Sequence, residues 1–244
     1  MNNGTPSRYL HASNALTYGS LLAGLLAVIA AAEKSSWHLS GALIASSVVL
    51  DTLDGRFARL FPRNSDQSAF GVQLDSLVDA VVFGFVPIAC MYLLLDFGAS
   101  VTARFCWTVA ALAYMVSALT RLGCYNLHQV NEDHFVGVPT TVAALFLSTL
   151  FLASPPLVLV VLALVACAYI MVARIAIPRP RGVILAVFVF WITLVLALHL
   201  VGAGRELGRG SADPRALGSA TDHRRTAPAP SLPPPPQNSI GVLR

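Results

Sequence analysis

Charge is what this sequence has least of. Asp, Glu, Lys and Arg make up 11% of its 244 residues, where a soluble domain carries about a quarter. With 56% hydrophobic residues and a mean hydropathy of +0.69, an ordinary water-soluble globule is excluded. Cysteine is sparse and unpatterned. Cys90, Cys106, Cys124 and Cys167 are scattered through apolar stretches, with no C-x-x-C pair and no metal-ligand spacing, so they read as small core residues and not as disulfides. A basic stripe is missing too. The net charge is +4, but the basic residues gather in short loops and in the C-terminal tail, which leaves a nucleic-acid partner without a motif. The N-terminus lacks the pattern of a cleaved signal: its first apolar run follows a polar stretch and is joined by several more.

What is there is a series of apolar runs, each approaching the ~20 residues that cross a bilayer. They cover about 15–32, 37–60, 70–95, 101–127, 137–154, 157–177 and 183–201. Only helices or closed barrels satisfy their backbone in lipid, and these lengths fit helices. The expected fold is all-α: a polytopic transmembrane helical bundle of six core helices and a seventh, spanning residues 1–201. From 202 to 244, Gly, Ser, Arg and Pro dominate, with four consecutive prolines at 233–236. This tail is expected to be disordered, because it has too little apolar surface to offset ordering entropy.

Orientation follows from the arginines. Arg56, Arg59 and Arg63 lie after the second run, and Arg174, Arg179 and Arg181 after the sixth. The opposite face holds little beyond Lys34 and Arg104. The arginine-rich face is expected to be cytoplasmic. Seven spans then put the tail, with Arg205, Arg209, Arg215, Arg224 and Arg225, on the other side, in mild conflict with the rule.

Five of the nine aspartates fall between positions 51 and 79. Ionisable groups at membrane depth are costly and mark function. Asp51 and Asp54 are three apart, and Asp75 and Asp79 four apart, so each pair shares a helix face. A connecting loop brings both pairs to one membrane surface. Gly71 extends the second face by a turn, and Gly55 and Ala58 flank the first, leaving room for a ligand. Two carboxylates ~4 Å apart repel by about 4 kcal/mol at an effective dielectric of ~20. Either some are protonated or cations sit among them. Oxygen-only ligands suit Mg²⁺, Mn²⁺ or Ca²⁺ over zinc, and paired hard cations serve phosphoryl chemistry. The blander alternative, aspartates that only cap helix ends, does not account for four at these spacings.

Asp51, Asp54, Gly55, Ala58, Arg59, Gly71, Asp75 and Asp79 together resemble the motif of the CDP-alcohol phosphatidyltransferase family, D-x-x-D-G-x-x-A-R followed by G-x-x-x-D-x-x-x-D. The family's spacer of eight residues between Arg and Gly is eleven here, residues 60–70. The extra length is expected in a loop. Asn14, Leu16 and Thr17 resemble the family's N-terminal N-x-L-T element. Residues 70–79, Phe83, Gly84 and Pro87, the stretch Arg121 to Asn126, and Phe135 to Pro139 look most like its phosphatidylserine synthase branch.

The resemblance implies a two-metal centre, Mg²⁺ or Mn²⁺, held by Asp51, Asp54 and Asp75, with Asp79 as a further ligand and as general base. It implies contacts to the CDP moiety from Asn14, Thr17, Gly55, Ala58, Arg59, Gly71 and a loop serine, Ser68 in preference to Ser65. The substrates would be CDP-diacylglycerol and a small alcohol, with serine favoured, in a homodimer within the inner membrane whose site faces the cytoplasm.

Arg121, with Ser117 and Tyr125 a turn to either side, suits the carboxylate of serine, although a snorkelling arginine has the same signature. Asn126 is a second candidate acceptor contact, and His128 a weaker one. His134, Glu132 and Asp133 read as solvated loop residues, and His38 and His199 as interfacial. Trp37, Trp107 and Trp191 read as belt anchors. Two rivals remain: the same chemistry on glycerol 3-phosphate or an inositol phosphate, and a divalent-cation transporter. The transporter predicts acids at the midplane and on both faces.

Overall fold

A computed structural model describes residues 5–33, 36–128, 134–174, 176–178 and 183–211. Residues 5–206 of these fall in one compact unit, Met1–Glu206. Two short 3-10 turns, Pro6–Tyr9 and Ala12–Asn14, lead into α1 (Ala15–Ala32), and α2 covers Trp37–Ala58. Next come α3 (Ser65–Asp79), a π-helical stretch (Ala80–Phe85) and α4 (Val86–Leu94), which together form one continuous rod. The chain goes on through α5 (Val101–His128), α6 (Thr140–Phe151), α7 (Leu157–Val172) and α8 (Val183–Ser211). The expected seven helical segments are therefore present. Four stretches, Ala12–Ala32, Ser65–Leu94, Val101–Leu127 and Val183–Glu206, are long and apolar enough to cross a membrane. α6 and α7 are shorter apolar helices.

Several boundaries differ from expectation. α3 begins at Ser65, five residues early, because Asn64 and Gln67 form a reciprocal capping box, which satisfies two orphan amides at the helix start. Six spacer residues, 65–70, are therefore helical and not loop. α7 stops at Val172, and Ala176–Pro178 pairs antiparallel with His134–Val136 as a small two-stranded ribbon, β2 on β1. Alternation within runs this short carries no strand signal. α8 continues to Ser211, past the boundary set at 201. Residues 202–207 (Gly-Ala-Gly-Arg-Glu-Leu) contain no proline to stop it. The tail from 212 onward lies outside the described residues, as do Lys34, Glu132, Asp133, Arg179 and Arg181 and the side chains of His128 and His134.

Small residues set the closest packing. α1 packs along α2, and small residues, Ala23, Ala27 and Ala31 on α1 and Ser40, Ala42 and Ala45 on α2, are buried. Ser20 donates to Ser47 O at 3.2 Å, and Ser40 donates to Ala27 O at 3.2 Å. Without a hydrophobic drive between helices in lipid, such close backbone approach and interhelical hydrogen bonds are the available glue.

The π stretch is stitched to α5. In an α-helix, the donor to Phe83 O would be the amide of residue 87, which is Pro87 and has none. Tyr114, fully buried on α5, donates its hydroxyl to that oxygen at 2.7 Å.

Two expectations about side chains are corrected. Cys106 and Cys124 are exposed on α5, while Cys90 and Cys167 are buried. An outward face in a membrane is apolar already, so nothing drives a thiol inward. His199 is not interfacial but fully buried. Its Nε2 lies 3.0 Å from Ser148 O, and its ring packs against Gly41, where any side chain would collide with it. The tryptophans are half-buried and packed: Trp37 on Phe151, Trp107 on Tyr92 and Phe97, and Trp191 on Phe188.

Candidate active site

The C-terminal half of α2 and the second half of α3 each carry two aspartates on one face, and the bundle sets those faces opposite each other. One carboxylate oxygen each from Asp51, Asp54 and Asp75 lie within 4.8 Å of one another. Asp79 completes the group. Its carboxyl meets that of Asp51, while Asp75 meets Asp54. All four residues are half-buried, and Asp79 Oδ1 is enclosed without a hydrogen-bond partner. Four carboxylates packed this way repel one another unless positive charge sits among them. An all-oxygen donor set with an orphaned oxygen fits a hard divalent cation.

The surroundings come from four elements. On α1, Thr17 is buried and donates to Asp54 Oδ2 at 2.9 Å. Just before it, buried Asn14 accepts from Ser13 Oγ at 3.2 Å through its Oδ1. A side chain added at Gly71 would begin 3.5 Å from that Oδ1 and 3.4 Å from Arg63 Nη1, so Asn14, Gly71 and Arg63 share one corner. Tyr9 stacks on Phe70 at 4.8 Å beside it. Gly55 is exposed, and nothing lies within 4 Å of where its side chain would begin. The position next to Asp54 is therefore open.

On α5, Arg121 is half-buried, and the aspartate whose charge acts on it is Asp79. Its guanidinium lies 5.9 Å from the Tyr125 ring centre. Asn126 is tied to α3, its Nδ2 donating to Ser76 Oγ at 3.0 Å. Three sequence candidates stand less close. Ala58 is buried in packing, and Arg59 and Ser68 are exposed, with no side-chain hydrogen bond or ion pair among the described residues. Ser76, Arg63 and Tyr9 were missed from the sequence. Only Ser76 had a signal, its place between Asp75 and Asp79.

Residues 10–199 match the model of the CDP-alcohol phosphatidyltransferase family. The chain belongs to that family. It is 36% identical over 141 residues to the CDP-diacylglycerol–serine O-phosphatidyltransferase of Mycobacterium tuberculosis, covering 54% of this chain and 45% of that protein. The enzyme of the same name from Helicobacter pylori is 33% identical over 135 residues, 54% of this chain and 53% of its own length. That of Bacillus subtilis is 31% identical over 166 residues, 67% of this chain and 88% of its own length. The chain thus spans about half the length of the first two relatives. Family membership leaves the rival transporter reading without support. Among the described residues, the acids at 51, 54 and 75 are the single group with metal-ligand geometry.

Proposed function

We propose that this membrane protein transfers the phosphatidyl group of CDP-diacylglycerol to the hydroxyl of L-serine, giving phosphatidylserine and CMP. The observation that carries the reading is the four-aspartate cluster between α2 and α3, in a chain whose relatives are named for this reaction.

Asp51, Asp54 and Asp75 would hold two divalent cations, Mg²⁺ or Mn²⁺, with Asp79 as a further ligand. Such cations, when bound, neutralise the diphosphate and the charge that develops on the departing phosphate. Thr17 fixes the rotamer of Asp54 through its hydrogen bond. Asn14, Gly55 and Gly71 line the nucleotide side, with Gly55 leaving the space that a close-lying diphosphate needs. Arg121 and Asn126 stand on the acceptor side. Asp79 accepts the proton of the acceptor hydroxyl. The acceptor oxygen bonds to the lipid-side phosphorus as the bond from that phosphorus to the CMP oxygen breaks, and CMP leaves. A base placed against the reacting hydroxyl contributes about 10²–10⁴-fold.

The site faces the cytoplasm, following the arginines at 56, 59, 63 and 174. In a bacterium that is the inner membrane, and the protein works there as a homodimer.

The test is CMP release by purified protein in detergent. The assay supplies CDP-diacylglycerol, Mn²⁺ or Mg²⁺ and a panel of alcohols that includes serine, glycerol 3-phosphate and an inositol phosphate. Release with serine, abolished by Asp79→Asn, supports the proposal. Release only with another alcohol keeps the mechanism and overturns serine.

A further inference from the structure

The six residues that follow Asp79, Ala80–Phe85, are π-helical, and Val86 donates its amide to Val81 O across five residues. Such turns are rare inside helices and recur at functional sites. A π turn carries one residue more than the α pattern, and one residue is about 100° of rotation at 3.6 residues per turn. The rod shows that offset. Its outward residues Gln73, Leu77, Val81 and Phe85 are spaced by four, so the outward stripe drifts from an unbroken α-helix, which by that point would have turned Gly84 outward. Gly84 is buried instead, and a side chain added there would begin 3.2 Å from Met115 Sδ on α5. The π stretch thus lets one rod present Asp75 and Asp79 to α2 while Phe83, Gly84 and Pro87 face the bundle.

Tyr114 ties that turn down from outside the rod. Phe83 lies one turn beyond Asp79, and the residue that would meet its carbonyl along an α turn is Pro87, which has no amide. The hydroxyl of fully buried Tyr114 donates to Phe83 O at 2.7 Å. An α turn through residues 83–87 would leave that oxygen unmet from within the rod, so the hydroxyl favours the π form. We propose that Tyr114 is a positioning residue for Asp75 and Asp79: its hydroxyl holds the π turn, and the π turn sets the rotation at which both carboxylates meet Asp51 and Asp54. Tyr114 touches neither the cluster nor the reacting atoms. This rests on the phosphatidyl-transfer reading above for turnover, and on the carboxylate cluster alone for metal affinity.

The experiment follows three quantities in the full-length protein in detergent: melting temperature, Mn²⁺ affinity from the loss of the free-ion electron paramagnetic resonance signal, and kcat for CMP release with CDP-diacylglycerol and serine. Tyr114→Phe is expected to weaken Mn²⁺ binding by about 10- to 100-fold, the range for groups that orient metal ligands. It should also lower kcat at saturating Mn²⁺ by up to about 10²-fold, the effect of a small misplacement of reacting groups. Pro87→Ala in the same chain offers Phe83 O an amide along an α turn. It should recover part of the melting temperature while Mn²⁺ affinity and kcat stay low, because an α turn rotates the carboxylates away from α2. If the single variant cannot be purified, the double variant carries the comparison. Ser148→Ala is the control, since it removes a buried bond to Gly41 O, ten residues before Asp51 on α2. It should lower the melting temperature and leave Mn²⁺ affinity unmoved. Wild-type Mn²⁺ affinity in Tyr114→Phe overturns the proposal. So does recovery of affinity in step with stability in the double variant, or an equal loss of affinity in Ser148→Ala. A wild type that binds Mn²⁺ and releases no CMP with any alcohol sinks the reaction reading alone, and the Mn²⁺ comparison still decides the role of Tyr114.

Discussion

Thr17 on α1 donates its hydroxyl proton to Asp54 Oδ2 on α2 at 2.9 Å, across 37 positions of sequence. Asp54 is thereby held in one rotamer before any ligand arrives, and its other oxygen is left for the cluster. Groups that orient a metal ligand in this way typically change metal affinity by 10–100-fold when removed. Thr17→Val keeps the shape and loses the donor. The Mn²⁺ concentration for half-maximal activity is expected to rise by about tenfold or more, with little change in kcat at saturating metal. An unmoved metal requirement would show that Asp54 needs no help.

The carboxylate cluster should be unstable without cations. Adding Mn²⁺ to chelator-treated protein is expected to raise the melting temperature. The stabilisation is about 2.7 kcal/mol at a hundredfold excess over Kd. Asp51→Asn removes one repelling charge and one ligand. It should therefore melt higher than wild type in chelator and gain much less from Mn²⁺. If the melting temperature of the wild type ignores Mn²⁺ and Mg²⁺ alike, there is no metal centre.

Asp79→Asn removes the proton acceptor while keeping nearly the same volume. Turnover is expected to fall by about 10²–10⁴-fold, with CDP-diacylglycerol binding largely kept. A variant within a few-fold of wild type would take Asp79 out of the chemistry.

Tyr114 completes the hydrogen bonding of the Phe83 carbonyl that Pro87 leaves open. Tyr114→Phe strands a buried oxygen, at a cost of about 1–3 kcal/mol. Restoring an amide with Pro87→Ala in the same chain should recover part of that loss, measured as coupling in a double-mutant cycle of unfolding. Strict additivity of the two substitutions would mean that the pairing is incidental.

Gly41 gives its space to the ring of His199. Gly41→Ala puts a methyl group where that ring lies and should destabilise by about 1–3 kcal/mol, the usual range for overpacking. His199→Ala in the same background should relieve most of the added strain, read from thermal melts in detergent.

The length of each apolar run decided by itself that the chain would be a helical bundle, because lipid offers no partner for an unpaired backbone amide. The spacings of three and four between the aspartates likewise decided that each pair would share a helix face. Periodicity stops there. It says which residues of one helix lie together and not which helix stands opposite. Only tertiary packing brought Asp51, Asp54 and Asp75 to within 4.8 Å, set Thr17 on Asp54 and left Asp79 Oδ1 and Arg121 Nε each buried without a hydrogen-bond partner. It also decided the interior polar residues. Tyr114 finds Phe83 at 31 residues' separation and His199 finds Ser148 at 51, each satisfying a buried group whose partner no local pattern names. The helix ends were legible where proline stood at the start, as Pro139 and Pro156 do before α6 and α7. They were lost where the signal was a side-chain cap, as at Asn64 and Gln67, or where a strand pairing across loops ended α7 early. A cap and a ladder are each contacts between residues, and a hydropathy pattern records only the residues themselves.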